Sequence, residues 1–296
     1  MTKLPASGAA AGRLADLLSR ETGQTLSEAR RWRIETSLRP LLRAHGLHTL
    51  DDLICAIDRD PAGPLKAEAV DAMLNHESSF FRDLAVFHAL ETVVLPRLAS
   101  TIADRRLRIW CAGCSTGQEA YSLAMVVKRT PALEGWTVSI EASDVSALAI
   151  AKAKQGRYSQ MDMQRGLPIS ELLRWFQPVG KEWQVADELR QMVTFRQDNI
   201  LQARRACGPF DLILCRNVLF YFPEAQRQQA CSELALRARP GTHLVLGAGE
   251  MLGAETGFTA CRDLSCIYAA QPASGPSTVV RRAQTQAPLP PHPPLS

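Results

Sequence analysis

Long apolar runs are missing from this 296-residue chain; stretches such as 84–87 and 92–95 fall far short of the ~20 residues that a membrane span needs. The first twelve residues are alanine-rich but lack the apolar core of a secretory signal. These absences exclude membrane insertion and lead to the expectation of a soluble, cytoplasmic protein. A concentrated excess of one charge is also missing. Thirty-four Lys and Arg face thirty Asp and Glu, a net +4, which does not mark a nucleic-acid binder. Cys111 and Cys114 form a CxxC, but no second CxxC or nearby His pair completes a zinc site. A disulfide framework suits a small secreted domain better than a chain of this length. The eight cysteines, at 55, 111, 114, 207, 215, 231, 261 and 266, therefore read as reduced thiols packed as small hydrophobes. No internal repeat is present. What remains is ordinary globular composition, 46% apolar and 22% charged, with length for about two domains.

Residues 13–76 are poor in glycine and read as a helical domain. Leu14, Leu17 and Leu18 form one apolar cluster, ended by Thr22-Gly23. A second helix is expected from about Ser27, with Trp32, Leu38 and Leu42 as core positions and Pro40 kinking or ending it early. Thr49 and Asp52 have capping-box spacing for a third helix carrying Leu50, Leu53, Ile54 and Ile57. Leu65, Ala69, Val70, Met73 and Leu74 repeat at helical spacing for a fourth. Residues 77–103 connect this bundle to a second domain at 104–270. There, strand-like runs at 107–111, 137–142, 192–196, 210–215 and 243–247 alternate with helix-like stretches such as 120–127, 147–154 and 224–237. That alternation predicts a doubly wound α/β domain built on a parallel sheet. The stretch 157–191, with Trp175, Phe176 and Trp183, is too long for a connection and reads as an inserted subdomain. The Pro-rich residues 271–296 read as a disordered tail.

The run Cys111-Ala-Gly-Cys-Ser-Thr-Gly-Gln-Glu119 follows the first strand and precedes a helix. Small residues there let backbone approach a ligand, and the helix start offers N–H groups to anionic atoms. It is not G-x-G-x-x-G, so a dinucleotide is not favoured. Asp144, at the end of the next strand, is placed to accept both hydroxyls of a ribose. Loop and acid together point to a nucleoside ligand. Residues 113–117 also match G-x-S-x-G, with Asp211 and His243 in triad order. A nucleophile elbow, however, follows several strands of its sheet rather than the first. A CxxC redox pair is disfavoured because the run continues into Ser-Thr-Gly-Gln-Glu.

Four segments resemble one family. His76-Glu-Ser-Ser-Phe-Phe-Arg-Asp83 resembles the N-E-T-x-F-F-R-[DE] segment of CheR-type chemotaxis-receptor methyltransferases. Residues 110–122 resemble its W-x-A-[AG]-C-S-T-G-E-E-P-Y-S loop, 142–145 its A-T-D-I, and 210–222 its F-D-x-I-x-C-R-N-V-x-I-Y-F. The similarity runs from about residue 13 to 269. It implies a Rossmann-like S-adenosylmethionine-dependent domain behind an all-helical N-terminal domain. The implied reaction is O-methylation of glutamates on chemoreceptor cytoplasmic helices, with S-adenosylhomocysteine as product. Carried across, the cofactor contacts fall on His76, Ser78, Arg82, Gly113, Glu119, Asp144, Asn199, Ile200, Arg216 and Asn217. Arg82 and Tyr221 fall on the family's catalytic candidates. His76 stands where the common form has Asn, and Ser78 where it has Thr.

The chemistry agrees with that resemblance. A glutamate nucleophile is already ionised at neutral pH, with pKa ~4.3, so no strong general base is required. Phe80, Phe81, Phe220 and Phe222 read as core or domain-junction packing. Arg30, Arg31, Arg33, Arg39 and Arg43, opposed by Glu35 alone, read as a solvated face or as a dock for an acidic receptor helix through Arg30, Arg31 and Arg33. Nucleic acid is disfavoured there because Trp32 is the sole interleaved aromatic. A methyltransferase of another chemosensory-like pathway and a cofactor-binding module without turnover are the rival readings.

Overall fold

The computed structural model of the protein describes residues 8–26, 32–202, 208–253 and 256–271. Arg30, Arg31, Cys207 and the Pro-rich stretch from 272 lie outside the described residues. Four helices come first: α1 (Gly8–Thr22), α2 (Trp32–Ala44), α3 (Leu50–Arg59) and α4 (Pro64–Met73). Leu14, Leu18, Ile34, Leu38, Leu53 and Ala69 meet in their shared core. The Thr49–Asp52 capping box at the start of α3 forms in both directions. Two expectations fail in α2. Pro40 neither ends nor shortens the helix, which continues to Ala44. Pro40 and Thr36, whose carbonyl loses its donor, both lie on the exposed face, where that oxygen is open to solvent, while Leu38 and Leu42 hold the other face in the core. Trp32 is not core; at the first residue of α2 it is 66% exposed.

α5 (Leu84–Ala89), a π turn over Leu90–Val94, and α6 (Leu95–Thr101) run on as one helical stretch leading to the sheet. Phe80 and Phe81 ahead of it are buried, Phe80 edge-on to Tyr158 at 5.0 Å and to Phe176 at 5.5 Å. The second domain contributes β1 (Arg106–Ala112), α7 (Gln118–Arg129), β2 (Thr137–Asp144) and α8 (Ala147–Gln155). Residues 157–190 fold beside it as β3 (Arg157–Ser159), α9 (Gln160–Gln164), α10 (Ile169–Trp175), β4 (Phe176–Val179), β5 (Glu182–Val185) and α11 (Asp187–Arg190), with a three-stranded antiparallel sheet in the order β3-β5-β4. Then follow β6 (Val193–Gln197), β7 (Phe210–Cys215), α12 (Glu224–Ala235), β8 (Ala238–Leu246), β9 (Phe258–Ala260) and β10 (Ile267–Ala270).

The main sheet has the order β6-β2-β1-β7-β8-β10-β9. Its first five strands are parallel, which bears out the doubly wound α/β class. β10 and β9 are antiparallel additions absent from the sequence reading, and β8 begins five residues before the apolar run at 243. β7 is buried at every position, because helices cover both faces of a parallel sheet. The chain leaves β1 toward β2 on one side and later returns to lay β7 on the other. The order therefore reverses between β1 and β7, and a crevice opens at their carboxyl ends.

Candidate active site

The chain turns sharply at each of those strand ends. After β1, Gly113 takes φ +77°, and a Cβ there would sit 2.4 Å from Val218 Cγ2. Only glycine fits under the loop that follows β7. The N–H groups of Gly113 and Cys114 both donate to Ser143 O, at 2.8 and 2.9 Å, which ties this turn to β2. Ser115, at φ +47°, points its N–H at Asp144 Oδ2, 2.8 Å away. Ser146 N–H donates to Asp144 Oδ1 at 2.9 Å. Each carboxylate oxygen thus has one backbone donor and a second lone pair to offer. Burial pushes the Asp144 pKa up, and the Ser146 and Ser115 N–H groups with His76 offset that only in part. The carboxylate gains from further donors such as paired hydroxyls.

Arg216, the first residue past β7, is the hub of the opposite side. Its side chain is 1% exposed. Nη1 donates to Glu119 Oε2 at 2.7 Å, and Nη2 to Asp83 Oδ2 and the Arg82 carbonyl at 2.8 Å each. Its guanidinium lies over the Phe87 ring at 5.5 Å. Nε is buried without a partner. Glu119, in the first turn of α7, has its pKa raised by burial, although Arg216 and Arg82 pull it down. Arg82, half-buried, donates to Glu77 O at 3.3 Å.

The helical domain supplies the remaining wall. Asn75 Nδ2 donates to the Tyr221 hydroxyl, and Thr25 N–H donates to Tyr221 O at 3.0 Å. Asn199 Nδ2 donates to Glu21 O at 3.3 Å, while its Oδ1 accepts Leu201 N–H at 2.9 Å. His76 Nε2 lies 3.1 Å from Asp71 O and 3.4 Å from Asp71 Oδ2. The other Asp71 oxygen accepts from Ser146 Oγ, which also caps α8. One chain of polar groups thus joins α4, the 76–83 segment and the end of β2.

Burial works against a charged His76, but the hydrogen bond and charge of Asp71 outweigh it, so its pKa stands above 6.5. A histidine whose folded pKa is raised contributes stability that is complete below its unfolded value and lost as pH rises through the folded one. His76→Asn is therefore expected to lose about 1 kcal/mol or less at about pH 6, a deficit that shrinks toward about pH 9. Urea denaturation at both values checks this, and a difference independent of pH contradicts it.

A cavity of about 890 Å³, its open mouth included, lies between the helical domain and the sheet. His76, Ser78, Arg82, Gly113 and Glu119 line it. So do Asp144, Asn199, Ile200, Arg216, Asn217 and Tyr221. Arg33, half-buried on α2, does not. The sequence reading missed Thr22, Gln24, Asn75 and Asp198, which also line the cavity, and Glu250, which holds the turn after β7. Of these, Asn75 alone adjoins a recognised segment, standing immediately before His76. Phe220 corrects an expectation: Phe80, Phe81 and Phe222 are buried, but Phe220 is 46% exposed. Its neighbour Leu219 takes the core position in the short turn.

The two rival readings of the 111–117 loop fail on geometry. Asp211 accepts Arg108 N–H near the start of β1, and His243 stands level with Leu212, itself beside Ile109. Both lie low in the sheet, whereas Ser115 is beyond its carboxyl end, so no triad forms. Cys111 and Cys114 are buried, and burial raises both thiol pKa values far above the ordinary range, the opposite of a reactive pair. Among the described residues no group of acidic, His and Cys side chains is arranged to hold a metal ion, and no helix is long and apolar enough to cross a membrane.

Residues 76–265 match the family model described as CheR methyltransferase, SAM binding domain. Chemotaxis protein methyltransferase Cher2 of Pseudomonas putida is 33% identical over 240 residues, covering 79% of this chain and 87% of that protein. Chemotaxis protein methyltransferase 1 of Pseudomonas aeruginosa is 35% identical with the same coverage. A chemotaxis protein methyltransferase of Vibrio parahaemolyticus is 34% identical, covering 82% of this chain and 88% of its own.

Proposed function

This chain belongs to the CheR methyltransferase family, and from that membership we propose that it methylates glutamate side chains on the cytoplasmic helices of chemoreceptors, leaving methyl esters. It is an S-adenosylmethionine-dependent methyltransferase of chemotaxis. The observation that carries the finer reading is the cavity in which Asp144, the Arg216–Glu119 pair, Arg82 and Tyr221 converge between two domains.

The donor set fits the cofactor. Asp144 has a lone pair free on each oxygen for a ribose diol. Glu119 offers Oε1, the oxygen not taken by Arg216, to an ammonium group. Arg82, with the partnerless Nε of Arg216 beside it in the wall, suits a carboxylate. His76, Ser78, Gly113, Asn199, Ile200 and Asn217 complete the contact surface. When bound, S-adenosylmethionine supplies an electrophilic methyl group on a sulfonium.

The protein's own part is orientation and the exclusion of water. Its acceptor is a carboxylate already ionised at neutral pH, so the residues have no proton to remove. Tyr221 accepts from Asn75 and so keeps its own proton to donate to the incoming carboxylate. Arg82, at the junction of the domains, fixes the charge and direction of that carboxylate.

Incubation with labelled S-adenosylmethionine and receptor-containing membranes tests the reading. Transfer of label that base releases is the expected outcome. S-adenosylhomocysteine binding without transfer marks a cofactor-binding module instead, and base-stable label excludes an ester. Charge reversal at Arg30, Arg31 and Arg33 in the same assay is expected to raise KM for receptor about tenfold with an unchanged Kd for S-adenosylhomocysteine. An unchanged KM removes the docking role of that stretch.

A further inference from the structure

Glu250 lies on no sequence motif, yet its carboxylate is buried, at 5% exposure, against the turn that carries Asn217 and Tyr221. Oε2 accepts the N–H groups of Asn217 and Gly247, each at 2.8 Å. Oε1 accepts Leu219 N–H at 2.7 Å and Phe220 N–H at 3.4 Å. One side chain thus answers donors from two loops, those leaving the neighbouring parallel strands β7 and β8. These N–H groups have no place in a sheet ladder or a regular helix. Asn217 takes the left-handed conformation at φ +59°, one that asparagine tolerates and that aims its N–H at the carboxylate. Gly247 has no Cβ because one would meet Asn217 N at 2.7 Å, so the second loop is pressed against the first.

We propose that Glu250 is a positioning residue for methyl transfer: its buried carboxylate clamps the 217–220 turn and thereby fixes Asn217 in the cofactor wall and the Tyr221 hydroxyl at the acceptor. This rests on the methyltransferase reading above. The carboxylate form is what the clamp needs. An ionised carboxylate only accepts, and here every neighbour is a donor. A glutamine of the same shape turns an NH2 toward two of those N–H groups, and the turn must shift to relieve them. A shift of about 1 Å at Tyr221 is enough to cost about a hundredfold in rate.

The test is Glu250→Gln in the full chain, with and without Tyr221→Phe, read three ways. Hydrogen exchange on the cofactor-free protein is expected to quicken at residues 217, 219, 220 and 247 while β1 and β7 stay protected. The kcat of Glu250→Gln is expected to fall about a hundredfold. At saturating cofactor, where any loosening of Asn217 is masked, the same change in the Tyr221→Phe background is expected to cost little more in kcat, since its effect on the transfer step runs through that hydroxyl. Additive losses, or unchanged exchange with unchanged kcat, overturn the proposal. If Glu250→Gln does not fold, Glu250→Asp, which keeps the charge on a shorter arm, is put through the same comparison with the same two outcomes. Absence of transfer by the wild type instead removes the methyltransferase reading, and the exchange measurement still decides whether the clamp exists.

Discussion

Arg216→Met is expected to lower the melting temperature by roughly 6–20 °C, the consequence of about 3–5 kcal/mol lost when a buried ion pair is broken on one side only. The guanidinium is 1% exposed and Glu119 14%, so neither charge can turn to water instead. Methionine replaces the bulk against Phe87 but leaves Glu119 Oε2 and the Arg82 carbonyl without their donor. Asp83, 37% exposed, suffers least. Burial already raises the Glu119 pKa, and removing its cation raises it further. A carboxyl whose folded pKa is raised loses stability as pH climbs above its unfolded value. The deficit of the variant is therefore smaller at about pH 5 than at about pH 8. Scanning calorimetry at the two values measures both effects. An unchanged melting temperature would show that the hub contributes nothing.

Asp144→Ala is expected to weaken S-adenosylhomocysteine binding by ~1.5–3 kcal/mol, a Kd about 10- to 150-fold higher by titration calorimetry. Two losses combine there. The ribose hydroxyls lose their acceptors, and the N–H groups of Ser115 and Ser146 lose the oxygen that shapes the loop around the ligand. Asp144→Asn separates them, because an amide keeps one acceptor, and its Kd is expected to fall between wild type and Asp144→Ala. With its pKa raised by burial, Asp144 protonates at a higher pH than an exposed carboxylate. Wild-type affinity should therefore decline on the acid side while that of the alanine variant stays flat. Equal affinities for wild type and Asp144→Ala would place the nucleoside elsewhere.

The sequence reveals what is written contiguously. β1 and β7 stand out as apolar runs because nearly all their positions are buried, whereas β2 shows through Val138, Ile140 and Ala142 at alternate positions. β8 is recognisable only over its buried part, since Arg239, Pro240 and Gly241 at its start are exposed and break the pattern. β9 and β10 are short and half-exposed, and the pairing of β10 with β8 and of β9 with β10 is a tertiary fact without a local signature. Pro40 misleads because the cost of a proline depends on which face it occupies, and a window of sequence does not show faces. The same division runs through the site. Asp144, Glu119 and Arg216 sit inside recognisable segments, whereas Glu250 matters through bonds to residues thirty or so positions away. Asn75 matters through a hydroxyl 146 positions along the chain.

The strand order also sets a timetable. β1 lies between β2, its near neighbour in the chain, and β7, where Arg108 meets Asp211 across 103 positions. During synthesis β1 and β2 can pair early, bringing Gly113 beside Asp144 while Arg216 is still to be translated. Until it emerges, Glu119 lacks its hydrogen-bonded cation and the half-sheet keeps an open edge at β1, a surface prone to sticking to other chains. The nascent protein is therefore most vulnerable to aggregation between ribosomal release of β6 and of β8, and chaperone contacts should concentrate in that interval.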